Sequence, residues 1–94
     1  MTATEIRDSI ILSPVLDLRA AGPLAAAMLA WRGDDLSLDA SRVERVGGQC
    51  LQVILAARNQ WAAEGRSFRV LGASDAFKEA ADLMGAAPLL PTGA

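Results

Sequence analysis

Ninety-four residues, 52% hydrophobic and 21% charged, are the composition of one small folded domain with apolar surface enough for a core. Nine Lys and Arg against eleven Asp and Glu leave a net charge of −2, the wrong sign for a general nucleic-acid binder, which needs a basic face to displace counterions from phosphates. With no His and one Cys, the chain has neither the ligands of a zinc or transition-metal site nor the base of a Ser-His-Asp or Cys-His nucleophile, and it can form no internal disulfide. No cofactor is expected.

The first nine residues, Met1 to Ser9, are polar and mixed and read as a frayed lead-in rather than the basic start of a secretory signal. Ile10-Ile11-Leu12 and Val15-Leu16-Asp17-Leu18 are short strand-like runs separated by Ser13-Pro14. A helix is predicted next, with Pro23 near its first turn, Leu24, Ala27, Met28 and Trp31 along one face, and Gly33 as its stop. Its apolar run, Pro23 to Trp31, falls well short of the roughly 20 residues a membrane span needs. No membrane insertion is expected, and the expected setting is cytoplasmic.

Leu36 to Ala40 alternates Leu, Leu and Ala with Ser37 and Asp39, the pattern of a half-buried strand. Ser41 to Val46 reads as a polar connection to Gly47-Gly48. The longest helical signal follows, Gln49 to Glu64, with Cys50, Val53, Ile54, Ala57 and Trp61 as its apolar stripe, Leu51 and Leu55 widening it, and Gly65 as its stop. Ser67 to Leu71 is a further strand ended by Gly72. Ser74-Asp75 then supplies the cap of a last helix, Ala76 to Met84, with Phe77, Ala80, Ala81 and Met84 on one face and Gly85 closing it. The tail from Ala86 reads as loose. The fold class is α/β, a single domain over 1–94 with its core at about 10–86, in which a mixed sheet of four to five strands is backed by three to four helices.

Few residues suggest chemistry. Gly47-Gly48 precedes a helix, where free N–H groups can receive an anion, but no GxGxxG or GxxxxGK[ST] surrounds it. A tight turn needing positive φ is the plainer reading. Asp17 and Asp39 each follow a Leu at a strand and could act together only if their loops converged; turn and cap roles account for them more simply. Cys50 lies on the apolar stripe and reads as packing rather than a reactive thiol. Trp31 and Trp61 lie at helix ends, as edge-of-core packing or as interface anchors. Arg42, Glu44 and Arg45 surround the loop before the glycines. No enzyme emerges from these residues, and no small-molecule substrate is expected.

The order of these segments resembles the STAS domains, the family of anti-sigma factor antagonists and sulfate-transporter tails. Leu36-Ser37-Leu38-Asp39-Ala40-Ser41-Arg42-Val43 matches the family's strand and turn, and Val46-Gly47-Gly48-Gln49-Cys50-Leu51-Gln52-Val53-Ile54-Leu55 falls on its "iDssGlgvLl". Gly65 to Gly72 and Phe77 to Gly85 match the strand and helix that follow. The resemblance implies a mixed sheet backed by helices and a protein-binding role. In the antagonists a Ser after the motif Asp is phosphorylated by a partner kinase. Here the Asp falls at Gly47 and the acceptor at Gly48, with Gln49 next, so the phosphosite-equivalent position cannot be phosphorylated. The string from Leu38 to Val53 is also similar to the CheS-type STAS proteins of alphaproteobacterial chemotaxis operons. That likeness implies a non-enzymatic accessory that binds the histidine kinase CheA and modulates phosphate flow to or from a CheY-type regulator. The residues expected to meet the partner are Arg42, Glu44, Arg45, Gly47, Gly48, Gln49 and Gln52. The alternatives are a phosphorylation-independent anti-sigma factor antagonist-like regulator, a STAS subunit of a lipid-transport ATPase, and a small-ligand or nucleotide binder at the Gly47-Gly48 helix start.

Overall fold

A computed structural model describes residues 9–86. Eight elements follow one another: β1 (Ile10–Ile11), β2 (Val15–Leu16), α1 (Leu18–Leu29), β3 (Leu36–Asp39), β4 (Arg45–Val46), α2 (Gly48–Ala63), β5 (Phe68–Leu71) and α3 (Asp75–Leu83). The α/β class, with five strands and three helices, is the one the sequence predicts. The arrangement of the strands differs in detail from one mixed sheet. Among the described residues β1, β3 and β5 form a parallel sheet with β3 in the centre, while β2 and β4 form a separate parallel pair. Parallel neighbours need crossovers, and the helices supply them.

Three sequence expectations shift. Arg45–Val46, read as part of a polar connection, is a strand because its backbone pairs with β2, Val15 opposite Arg45 and Leu16 opposite Val46. Two residues carry too little side-chain pattern to declare a strand alone. Helix α1 begins at Leu18, earlier than Pro23 suggests, because the Asp17 carboxylate accepts the Arg19 N–H at 3.1 Å and caps it. Pro23 is then the sixth helical residue, on an exposed position of the helix, where the carbonyl it leaves without a donor costs least. Ala27 of the predicted face is exposed, and the buried residues of α1 are Ala21, Leu24 and Met28.

Helix α2 matches its predicted stripe. Cys50, Leu51, Ile54 and Trp61 are buried, and Val53, Leu55 and Ala57 are packed partly against them. Gly65 then takes φ 71°, the left-handed stop that ends the helix. Leu36 and Leu38 of the central strand and Ala40 just after it join the same core with Leu12, Leu16, Val43, Val70 and Phe77. Helices α1 and α2 pack on each other, α2 also lies on β5, α1 on β2, and α3 on β4. The last of these places the end of α3 beside the start of α2. Residues 1–8 and 87–94, the predicted frayed lead-in and loose tail, lie outside the described residues.

Trp61 is core: it is 1% exposed, its Nε1 donates to the Asp34 carbonyl at 2.7 Å, and its ring meets Phe68 edge-on at 5.9 Å. Trp31 is half-buried against the same cluster. Arg32 and Glu64 form an exposed ion pair that ties the end of α1 to the end of α2, and Gln60 donates to the same carboxylate. These donors, Arg32 first and Gln60 second, hold the Glu64 carboxyl below the usual carboxylate range.

Candidate functional site

The corner between β4 and α2 is built from backbone. The N–H groups of Glu44 and Arg45 both donate to the Pro14 carbonyl, at 2.7 and 3.1 Å, and Gly47 N–H donates to Leu16 O at 2.9 Å. These bonds hold the strand that delivers the chain to α2. Gly47 is the N-cap, with φ −88° and ψ 164°, and has no side chain to cap the helix. Neither glycine has positive φ, which corrects the reading of the pair as a turn that requires it. A Cβ on Gly47 would meet only Leu16 O, at 3.7 Å, an ordinary contact. A Cβ on Gly48 would collide with Met84 Cε, at the end of α3.

The other expected partner residues are placed as follows. Arg42 lies in the exposed turn after β3, Glu44 and Arg45 are exposed beside and in β4, and Gln49 and Gln52 are exposed one turn apart on α2. Their side chains have no hydrogen-bond partner among the described residues. Gly47 is exposed and Gly48 half-buried. Arg45, Gly47, Gly48, Gln49 and Gln52 thus lie close together along the chain from β4 into the first turns of α2, with buried Cys50 and Leu51 between the last two, and Arg42 and Glu44 sit in the segment leading to them. Sequence reasoning missed Met84. It placed that residue on the core face of the last helix, whereas it is 49% exposed and rests on Gly48. No periodicity reports such a contact, because it depends on how two distant helix ends meet.

The loop chemistry around the corner is structural. Asp39 Oδ1 accepts the Ser41 hydroxyl at 2.7 Å and the Ser41 N–H at 2.9 Å, closing an Asx turn. Those two bonds, with a smaller attraction from Arg42, hold its carboxyl below the ordinary range. Asp17 caps α1. The two carboxylates therefore serve turn and cap. Cys50 is buried, its Sγ donates to the Asp17 carbonyl at 3.3 Å, and burial, with the Asp17 charge second, pushes its thiol upward. Ser74 caps α3 by accepting Phe77 N–H at 3.1 Å while its hydroxyl donates to Val43 O at 2.6 Å. One side chain thereby fixes α3 to the segment that precedes β4.

Among the described residues no three His, Cys, Asp or Glu side chains are grouped as metal ligands, and no helix is long and apolar enough to cross a membrane. What the corner offers is the exposed backbone of Gly47, the half-buried backbone of Gly48 under the Met84 thioether, and exposed polar side chains.

A family model described as "Mlab, STAS domain" matches residues 2–91. No curated protein and no solved structure gives a significant match.

Proposed function

Because the chain belongs to the STAS domain family, we propose that it is a non-enzymatic protein-binding module that receives its partner at the β4–α2 corner and has no phosphorylation switch at position 48. The observation that carries the reading is the start of α2, where exposed Gly47 and half-buried Gly48 stand between exposed Arg45 and exposed Gln49 and Gln52. Side-chain-free backbone lets a partner helix come close, and the polar side chains around it can set its register. With Gly48 at the acceptor position of the antagonists, binding is constitutive as far as that site is concerned. The phosphate that would add roughly −1.5 to −2 charge there has no hydroxyl to attach to.

The partner we assign is a histidine kinase of the CheA type, on the likeness of the Leu38 to Val53 string to the CheS-type proteins. The role follows from it: the module modulates phosphate flow to or from a CheY-type regulator, with the phosphoryl chemistry left to the kinase. Membership of the family itself supports a second reading, an anti-sigma factor antagonist-like regulator or a STAS subunit of a lipid-transport ATPase. Titration calorimetry against the CheA-type kinase of the same organism separates them. Stoichiometric binding with a dissociation constant of about 10 µM or below supports the chemotaxis role, and silence at roughly 50 µM moves the search to sigma-factor and transporter partners.

A further inference from the structure

The two glycines at the start of α2 are not equivalent. Neither takes positive φ, so the backbone demands glycine at neither position. Space makes the difference. Beyond Gly47 nothing stands closer than an ordinary contact, whereas the volume a side chain would fill on Gly48 is occupied by the Met84 methyl, with Sδ 3.9 Å from the same point. The cover is therefore a side chain from another helix, and its obstacle is the tip of that side chain rather than backbone.

Met84 is held at its base by backbone hydrogen bonds. Its N–H donates to Ala80 O as the C-cap of α3, and Ala86 N–H donates to Ala81 O at 2.7 Å just beyond it. The far end of α3 is tied to Val43 through Ser74. The thioether, by contrast, is on an unbranched chain with three rotatable bonds, and the residue is 49% exposed. Leu83 beside it is 82% exposed. We infer that Met84 is a movable lid on the docking surface: its thioether lies on Gly48 and must swing aside before a partner packs against the backbone of Gly47 and Gly48. The inference rests on the docking reading above. Because the contact that the lid gives up is apolar, the partner helix presents an apolar side chain to the same floor, with Leu83 and the displaced Met84 as its rim.

The test uses the full chain labelled with 13C at the methionine ε-methyl, with buried Met28 as an internal reference. On titration with the CheA-type kinase, the Met84 methyl resonance shifts while that of Met28 stays in place. In calorimetry Met84→Ala tightens binding roughly three- to tenfold, because a surface that is open in only part of the molecules binds more weakly by that fraction. A kinase that binds while the Met84 methyl stays still and Met84→Ala leaves affinity unchanged overturns the lid and leaves the docking reading in place. A kinase that does not bind removes the CheA assignment but not the docking corner, and the lid is then judged on the protein alone. Gly48→Ala must move the Met84 methyl, and in urea unfolding it must be better tolerated in a Met84→Ala background than in the parent. Additive effects overturn the lid.

Discussion

Gly48→Arg is the substitution that tests the proposed docking corner, and it is informative only if the variant folds. Three effects on stability can be weighed. Replacing glycine near a helix start by a better helix former gains up to about 0.7 kcal/mol. A cation in the first turn opposes the helix dipole and returns about 0.3–1 kcal/mol of that. Displacing the Met84 methyl from Gly48 forfeits at most about 0.8 kcal/mol, the worth of one fully buried methylene, and less for a residue that is 49% exposed. The net change is therefore within about 1 kcal/mol of zero, small against the roughly 5–14 kcal/mol expected for a domain of this length. Binding should respond more strongly. If a partner helix docks on this corner as proposed, a long charged side chain there costs about 1–3 kcal/mol of overpacking, which is roughly a five- to 150-fold loss of affinity. Circular dichroism and urea unfolding check the fold, and calorimetry with the kinase reads the affinity. A folded variant with parental affinity would refute the assignment of this corner. A variant destabilised by more than about 3 kcal/mol would refute the reasoning about Met84, since it would mean that the obstacle does not yield.

Other consequences of the structure can be measured without a partner. Trp61→Phe removes the Nε1 bond to Asp34 O and part of a ring packed on Phe68, and should lower stability by about 2–3 kcal/mol in urea unfolding followed by circular dichroism. A loss below about 1 kcal/mol would show that the indole is not a core element. The Glu64 carboxyl has a folded pKa below its ordinary value because Arg32 and then Gln60 donate to it. Its contribution is therefore full above the unfolded value of about 4.3 and is lost as pH falls through the lower folded value. The difference in urea midpoint between the parent and Glu64→Gln should shrink on acidification over that range, and a difference independent of pH contradicts the ion pair. Cys50, buried and with its thiol pushed upward, should react with an aromatic disulfide reagent at least ~100-fold more slowly in the folded protein than in urea. Rapid labelling at neutral pH would place it at the surface.

The features legible in the sequence are those written in local patterns. The α2 stripe from Cys50 to Trp61, the alternation of Leu36, Ser37, Leu38 and Asp39, and the Ser74 cap each lie within one element, and each stands within a residue of its predicted place. What was illegible depends on partners far along the chain. Arg45–Val46 is a strand only because Val15–Leu16 lies beside it. The start of α1 turned on a choice between two acceptable signals, an Asp cap and a proline, and the capping bond at Asp17 prevails. The division into two parallel sheets rests on β2 pairing with β4 rather than with β1, β3 or β5, a long-range choice that no residue type announces. At the candidate site, the exposure of Gln52 followed from its place off the stripe. The cover on Gly48 did not, because Met84 shares the spacing of a core residue and the contact joins positions 36 apart.

Every strand pairing among the described residues is parallel, and the paired positions, Ile10 with Leu38, Val15 with Arg45 and Leu36 with Phe68, are separated by 28 to 32 residues. No hairpin is present among them to nucleate folding locally. Only the helices can form from neighbouring residues, and each sheet must wait until a whole crossover has closed and its loop entropy has been met. The order of events in folding is thereby constrained, with the α1–α2 contact able to gather early and both sheets arriving late. The same wiring makes the β4–α2 corner a late product. Its strand exists only once β2 has found it, so a partner at that corner meets a surface that the unfolded or half-folded chain does not display.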